Sequence, residues 1–360
     1  MFSPRASQLR LQQLAAFVVL LAALFTASGC NRASNLTKEV AYVNAPQVFL
    51  RDRLAPIFEK KGMVYLGQKV YVLEHKPRFA RVRTEKGEEG WIADRYLVPA
   101  DIYDQFDKLG KDNARTAVQA HGTARSLLNL HLTPGRDTEH LFQLKEGDKL
   151  EILKRSTAEK PSSMQPAPKT TNKSAKEKDE GSPMPALEDW LLVRGGDEHR
   201  VGWVLARLVD VDVPLEIAQY AEGQRIVASF VLSQVQDADK KVPQYLVVLT
   251  DNKDGLPWDF DQIRVFTWNL KRHRYETAYR EHNITGVFPV STGTADFGKE
   301  GVEPVFTLLV KNDQGQQSEH KYRMIGPIVR RVMTPEEQQK EAAEKAARRA
   351  SNPGGKKRRR

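Results

Sequence analysis

Two stretches of this sequence share one pattern: residues 90–97 read GWIADRYL, and residues 202–209 read GWVLARLV. Upstream of each stretch lie a glycine turn and two apolar runs, at residues 66–73 and 79–83 in the first copy and at 145–153 and 190–194 in the second. Runs rich in Val, Ile and Leu that carry one large aromatic suit a small barrel whose interior takes alternate side chains. The glycine before each Trp would let the backbone turn or bulge beside the ring. The sequence therefore predicts a duplicated β module.

The order of these segments resembles the bacterial SH3-like domain. The order is strand, Gly-Gln or Gly-Asp turn, strand, polar turn, Gly-Trp strand and a short closing turn, and the resemblance covers about residues 40–98 and 118–211. It implies an all-β chain with two small barrels, at residues 39–98 and 115–211. In such domains a long loop after the second strand forms part of a ligand groove, and here that loop spans residues 52–62.

The resemblance also implies candidate ligand-binding residues. Phe79 holds the position of the groove aromatic, Tyr96 that of the closing-turn tyrosine, and Arg53 lies in the groove loop. The alternative is that both aromatic rings only cover the barrel. The second module has Trp190 in the place of Phe79 but Leu208 in the place of Tyr96, so the two modules are not expected to bind a ligand equally. The second copy is then either structural or specific for another ligand.

The N-terminus has the pattern of an export signal. Two arginines precede an apolar run at residues 15–25, which is too short to span a bilayer. Small residues lead up to Cys30, the only cysteine, and resemble the lipobox of bacterial lipoproteins, although Ala27 stands where Leu is usual. By that resemblance residues 1–29 are a signal peptide and Cys30 carries the lipid. The alternative is a soluble signal cleaved near residue 27 or 29.

The lipobox resemblance implies a location and a partner. The protein would be exported and anchored in a membrane through acylated Cys30, on the periplasmic face of the envelope. Asn31 follows the cysteine where an Asp would tend to retain a lipoprotein in the inner membrane. An outer-membrane address is therefore favoured.

Four further segments complete the predicted organisation. Residues 99–114 have the i, i+3, i+4 spacing of a short linking helix. Residues 155–186, inside the second module, are rich in Ser, Pro and Lys and lack aromatics, which predicts a disordered insert. Alternating runs predict an antiparallel sheet domain at residues 217–332, with hairpin turns at residues 237–240 and 271–274 and strands at residues 225–235, 244–250, 263–269, 275–280 and 305–310. Residues 334–360 begin with Thr-Pro-Glu-Glu, a helix start, and predict a charged helical tail.

The formal net charge of +10 is concentrated at the ends of the chain. The tail contributes +5 and the signal +2, which leaves about +3 for the predicted domains. Outside the cytoplasm the nearest polyanions are lipid phosphates and cell-wall carboxylates, to which a basic tail is attracted in a salt-sensitive way. The alternative is a solvated tail without a partner. No nucleic-acid partner is expected.

Catalytic and metal-binding motifs are not evident in the sequence. The cell-wall cysteine peptidases and transpeptidases that often carry SH3-like domains need a cysteine nucleophile, whereas Cys30 belongs to the signal. The densest group of possible metal ligands lacks zinc-protease spacing and comprises His121, His131, Glu139 and His140. The sequence therefore predicts no enzyme, no metal site and no cofactor.

These observations predict a non-enzymatic envelope lipoprotein, and the SH3-like resemblance implies that its first module binds peptidoglycan through the peptide of the wall. A second hypothesis is a protein-protein scaffold or assembly factor that holds other envelope proteins. A third is an enzyme within residues 217–332, which would require a clustered acid and base in a pocket.

Overall fold

The computed structural model describes residues 39–161, 186–196 and 200–333. The predicted signal peptide with Cys30, residues 162–185 of the predicted insert and the predicted tail lie outside these ranges. The described residues form antiparallel sheets and few helices, which confirms the all-β prediction. The chain divides into two compact units, Met1–Pro99 and Ala100–Arg360, which are described separately below.

The first unit contains one seven-stranded antiparallel sheet. Its strands are β1 (Glu39–Val43), β2 (Gln47–Arg51), β3 (Lys60–Tyr65), β4 (Lys69–Lys76), β5 (Phe79–Thr84), β6 (Glu89–Ala93) and β7 (Leu97–Pro99). The strand order is β3-β2-β6-β5-β4-β1-β7, and no described pairing joins β3 to β7. The predicted barrel is therefore open rather than hydrogen-bonded around its circumference. Alternate side chains fill its core, among them the fully buried Val43, Leu50, Val64, Val70 and Val82.

The second unit begins with helix α1 (Ala100–Asn113) and a second seven-stranded sheet. The strands of this sheet are β8 (Ala120–Ala124), β9 (Leu128–His131), β10 (His140–Leu144), β11 (Lys149–Glu159), β12 (Leu187–Gly195), β13 (Arg200–Leu205) and β14 (Val209–Val211). Their order, β10-β9-β13-β12-β11-β8-β14, repeats that of the first sheet strand for strand. The predicted linking helix is packed rather than free, since Phe106 is buried edge-to-face against Phe142 with the ring centroids 5.7 Å apart.

The glycine of each Gly-Trp pair marks a close approach between strands. A Cβ atom added to Gly90 would lie 2.7 Å from Leu50 Cβ, and one added to Gly202 would lie 2.6 Å from Leu130 Cβ. Neither glycine has a positive φ, and both pair in register with the neighbouring strand. The prediction that these glycines allow a turn or bulge is therefore wrong. They are needed because no side chain fits where these neighbouring strands approach each other.

The first residues of the predicted disordered insert, 155–159, are part of a strand. Residues 155–159 belong to β11 and pair with residues 187–191 of β12. This hairpin extends the ladder of the second module, so the backbone groups of these residues are hydrogen-bonded rather than solvated. The residues that extend the ladder include Arg155 and Asp189, which contact the third sheet.

The third sheet follows the short helix α2 (Leu215–Ala218). Its strands are β15 (Arg225–Asp237), β16 (Lys240–Thr250), β17 (Phe260–Asn269), β18 (Arg274–Asp296), β19 (Val302–Lys311), β20 (Gln317–Ile325) and β21 (Ile328–Val332). Each strand pairs with the next along the chain, which confirms the predicted antiparallel sheet. Both predicted hairpin turns are present, with positive φ at Ala238 and His273. Strands β20 and β21 were not predicted, because their many charged residues conceal the alternation.

None of the helices in the described part of the chain is long and apolar enough to cross a membrane.

Candidate functional site

An open groove in the first module is the candidate site. It has a volume of about 830 Å³ and is bordered by the β1–β2 turn with strand β2, the loop after β2, the turn between β4 and β5, and the end of β6 with the short helical turn Asp94–Tyr96. Its aromatic lining residues are Phe49, Phe58, Phe79 and Tyr96. Its charged lining residues are Arg51, Arg78, Asp94 and Arg95. Three cations against one carboxylate give the groove a positive character, and the rings supply apolar contact area.

The structure brings two of the predicted site residues together. Phe79 and Tyr96 line the same groove, although 17 positions separate them in the chain. The predicted loop contributes as well, through Phe58. Tyr96 also packs against the core of the module, so it both covers the core and borders the groove. That these side chains bind a ligand stays a prediction.

The turn between β4 and β5 positions one wall of the groove. Arg78 has φ +68°, a left-handed conformation that is rare for a residue with a side chain. Its carbonyl oxygen accepts a hydrogen bond of 3.1 Å from the backbone N–H of Asp94, and Phe79 pairs with Ala93. The unusual backbone therefore connects the turn to the segment that carries Tyr96. Unusual backbone geometry held by surrounding structure is common at binding sites.

Arg51 is a groove residue that sequence reasoning missed. Its guanidinium carbon lies over the ring of Phe58, 4.3 Å from the centroid, and over that of Phe79, 5.4 Å from the centroid. Arg51 is the last residue of β2 and pairs with Trp91. That register places Arg51 beside the groove. In the sequence, the only indication of its role is that it directly precedes the loop that carries Phe58.

Arg53, the third predicted residue of this module, does not line the groove. Its side chain is 64% exposed and pairs with Asp52 at 2.5 Å. Asp52 Oδ1 also accepts a 2.7 Å hydrogen bond from the backbone N–H of Glu59. Although desolvation opposes it, hydrogen bonding to Arg53 and Glu59 lowers the pKa of Asp52 below its ordinary value. Arg53 therefore helps to hold the loop closed through Asp52.

The second module offers no matching groove at Trp190. This residue is the counterpart of Phe79, but it is only 2% exposed, and its ring meets His131 edge-on with the centroids 5.1 Å apart. The structure therefore places the side chain of Trp190 in the core of the second module, and ligand contact by this residue stays a prediction. Burial and the neighbouring His140 lower the pKa of His131 below its usual value.

Across the described residues, no group of three or more His, Cys, Asp or Glu side chains is arranged to hold a metal.

The third sheet contains one compact cluster of acidic and hydroxyl groups. Glu281 Oε2 accepts hydrogen bonds of 2.8 Å from the hydroxyls of both Tyr279 and Tyr322. Burial raises the pKa of both hydroxyls above their ordinary value, so they remain protonated donors to the carboxylate. Tyr322 stacks on Phe306 with the ring centroids 4.7 Å apart. The geometry makes this cluster an anchor of the sheet.

Comparison with known proteins finds similarity only among solved structures. No protein-family profile matches the chain, and no curated protein matches it. NlpC2 from Trichomonas vaginalis matches 78% of this chain and 91% of its own, with 9% identity and a TM-score of 0.16. An NlpC/P60 family protein from Bacillus cereus matches 82% of this chain and 95% of its own, with 9% identity and a TM-score of 0.19. The identities and TM-scores show that this similarity is weak.

The prediction that the chain is not an enzyme is corrected by these comparisons. The similar structures are NlpC and NlpC/P60 family proteins, a family whose members are typically enzymes. The prediction relied on the absence of a recognisable catalytic motif, but catalytic groups can be assembled from residues far apart in the chain. At TM-scores of 0.16 to 0.19 the likeness carries no argument about which residues of this chain would act.

Proposed function

We propose that this protein binds peptidoglycan through the groove of its first module. The observation that carries the proposal is the convergence of Phe79, Tyr96 and the loop residue Phe58 on one open groove. The SH3-like resemblance implies a wall ligand for such a groove. Aromatic rings can pack against the peptide of the wall, and the three arginines of the lining complement its carboxylates.

The difference between the modules supports assigning the ligand to the first one. Phe79 is partly exposed in its groove, whereas its counterpart Trp190 is buried. Tyr96 has a hydroxyl that accepts a hydrogen bond of 2.8 Å from Arg95, whereas its counterpart Leu208 has no polar group. The second module then acts as the support of the third sheet, which it contacts through Arg155 and Asp189.

Replacing Phe79 with Ala is expected to weaken binding to the wall by roughly 10-fold, the effect typical of an aromatic contact residue at the centre of an interface. The measurement is co-sedimentation of the full chain with purified peptidoglycan sacculi in mild detergent, which prevents membrane association. The matched control is Tyr65→Ala, because Tyr65 is an aromatic of the same module that is 53% exposed and lies outside the groove. This control variant should pellet like the wild type.

A salt series and a chain that ends at Thr334 separate the groove from the basic tail. Binding through the groove should survive both the added salt and the loss of the tail. Binding that disappears with the tail, or that is equal in Phe79→Ala and Tyr65→Ala, would contradict the proposal.

A protein-protein scaffold is the second candidate, and one feature of the groove loop favours it. Ile57 is 88% exposed and Leu54 is 40% exposed on the same loop. Exposed apolar side chains on a binding loop are a feature of surfaces that bind other proteins. Under this hypothesis, Ile57→Ser would abolish recovery of a cross-linked partner from envelope extracts and leave binding to sacculi unchanged.

We also propose that the protein is held in the envelope by a lipid on Cys30, a residue outside the described ranges. Replacing Cys30 with Ala should move the protein from the membrane fraction to the soluble fraction, because the acyl chains that anchor it are lost. Fractionation of cells that produce each form, with metabolic labelling by a radioactive fatty acid, measures this. Label retained by Cys30→Ala would refute lipidation at this residue.

A further inference from the structure

Arg51 has hydrogen-bond donors that the described residues do not use. It forms no ion pair, and no oxygen atom in residues 39–161, 186–196 or 200–333 accepts a hydrogen bond from its guanidinium. A guanidinium carries five N–H donors in a fixed fork. The side chain is partly buried, so these donors have lost some of their water without gaining an acceptor. Such a group is ready for an acceptor supplied by a ligand.

The surroundings of Arg51 restrict its orientation. Its guanidinium lies over Phe58 at 4.3 Å and over Phe79 at 5.4 Å, so two ring faces hold it within the groove. Contacts between a planar cation and aromatic faces leave the N–H groups at the edge of the plane available. A side chain that is already ordered loses less conformational entropy when a ligand binds.

The other arginines nearby differ from Arg51. Arg53 is paired with Asp52 outside the groove, and Arg95 donates to the hydroxyl of Tyr96. Arg78 is exposed at its turn. Arg51 therefore combines an aromatic cradle, partial burial and unused donors.

We propose that Arg51 binds a carboxylate of the wall peptide through paired hydrogen bonds, an inference that rests on the groove being the peptidoglycan site proposed above. Carboxylate and guanidinium match in geometry, and such charge-assisted pairs are the strong hydrogen bonds of proteins. The ligand class is thus a peptide with a free carboxylate, whose apolar part lies against Phe79 and Tyr96.

The experiment compares two forms of one ligand. The probes are muropeptides released from sacculi by a muramidase, and the same muropeptides after carbodiimide coupling of their carboxyl groups to methylamine. Calorimetric titration of the full chain in detergent gives the ratio of the two affinities. We expect the carboxylate form to bind at least about 10-fold more tightly to the wild type. This ratio compares two ligands on the same folded molecules, so it does not depend on the folded fraction.

Substitutions test whether Arg51 causes the difference in affinity between the two muropeptide forms. In Arg51→Ala the ratio should fall towards one, whereas the matched control Arg81→Ala removes an equal charge from the same module outside the groove and should keep it. Arg51→Lys is a second test in case Arg51→Ala does not fold. Lysine keeps the positive charge but cannot form paired hydrogen bonds with a carboxylate. The affinity ratio of this variant should therefore fall at least about threefold.

The failure of this inference can be told from the failure of the proposed function. An affinity ratio near one for the wild type would overturn the role of Arg51, and so would a ratio that stays unchanged in both Arg51 variants. In either case, binding of the muropeptides would still support the groove as the peptidoglycan site. Absence of binding by both forms and by sacculi would overturn both proposals.

Discussion

Replacing Asp189 with Ala is expected to lower the free energy of unfolding of the second unit by about 3–5 kcal/mol, the cost typical of removing one partner of a buried ion pair. Asp189 is 2% exposed and lies on β12. Its carboxylate accepts hydrogen bonds from Arg155 at 2.6 Å, from Arg225 at 2.9 Å and from the backbone N–H of Gly255 at 2.8 Å. Its loss would leave two arginines without their shared acceptor.

The position of this network explains the size of the effect. Arg155 and Asp189 belong to the second module, whereas Arg225 and Gly255 belong to the third sheet. Arg155 also donates to the carbonyl oxygens of Leu256 and Trp258, at 3.1 Å and 2.8 Å. The loop between β16 and β17, which carries these acceptors, is therefore held against the second module by one carboxylate and one guanidinium.

Urea unfolding followed by tryptophan fluorescence measures the change, since four of the five tryptophans lie in the second unit. The matched control is Asp210→Ala, which removes an ion pair with Arg125 whose two side chains are 55% and 56% exposed. Exposed pairs contribute about 1 kcal/mol or less, so this control should change little. Equal effects of the two substitutions would show that the network does not hold the second module and third sheet together.

Replacing Gly202 with Ala is expected to destabilise the second module by about 1–3 kcal/mol, because an added methyl group would overpack the contact between the neighbouring strands β13 and β9. The new Cβ would lie 2.6 Å from Leu130 Cβ and 3.2 Å from Leu130 Cα. Relief of this contact would require both the backbone and the buried side chain of Leu130 to move, which costs free energy. The same reasoning applies to Gly90→Ala in the first module, where Leu50 Cβ is 2.7 Å away.

The matched control for both glycine substitutions is Gly110→Ala, which is expected to change the stability in the opposite direction. Gly110 lies inside α1, and a Cβ at this position would meet nothing within 4 Å. Alanine is favoured over glycine in a helix by about 1 kcal/mol, so this variant should be more stable than the wild type. Hydrogen exchange read by mass spectrometry locates each effect to its own strands. Wild-type protection of β13 in Gly202→Ala would refute the close-approach role.

Several elements of the fold follow from local sequence signals. The helix predicted at residues 99–114 is observed as Ala100–Asn113, and the predicted hairpin turns at Ala238 and His273 have the positive φ that such turns require. These features depend on residues a few positions apart, which a single sequence displays. The closed barrels and the start of the predicted insert at residue 155 were predicted less well, because strand pairing depends on residues that are distant in the chain.

The candidate site was predicted in part for the same reason. Phe79 and Tyr96 occupy positions that the duplicated pattern makes recognisable, so their place beside the groove could be anticipated. Arg51 could not, because its role depends on rings contributed by Phe58 and Phe79 from two other segments. Trp190 shares the position and the aromatic character of Phe79, and nothing in its local sequence shows that it is buried.

The sequence by itself determined that the chain is all-β and repeats one module, because alternation of apolar residues and the spacing of the Gly-Trp pairs are local properties. Only the tertiary structure decided that Phe79 borders an open groove whereas Trp190 is buried, and which residues hold the second copy to the third sheet. The physical reason is that burial and ion pairing are set by partners far along the chain: Asp189 meets Gly255, 66 positions away, and Arg155 meets Trp258, 103 positions away.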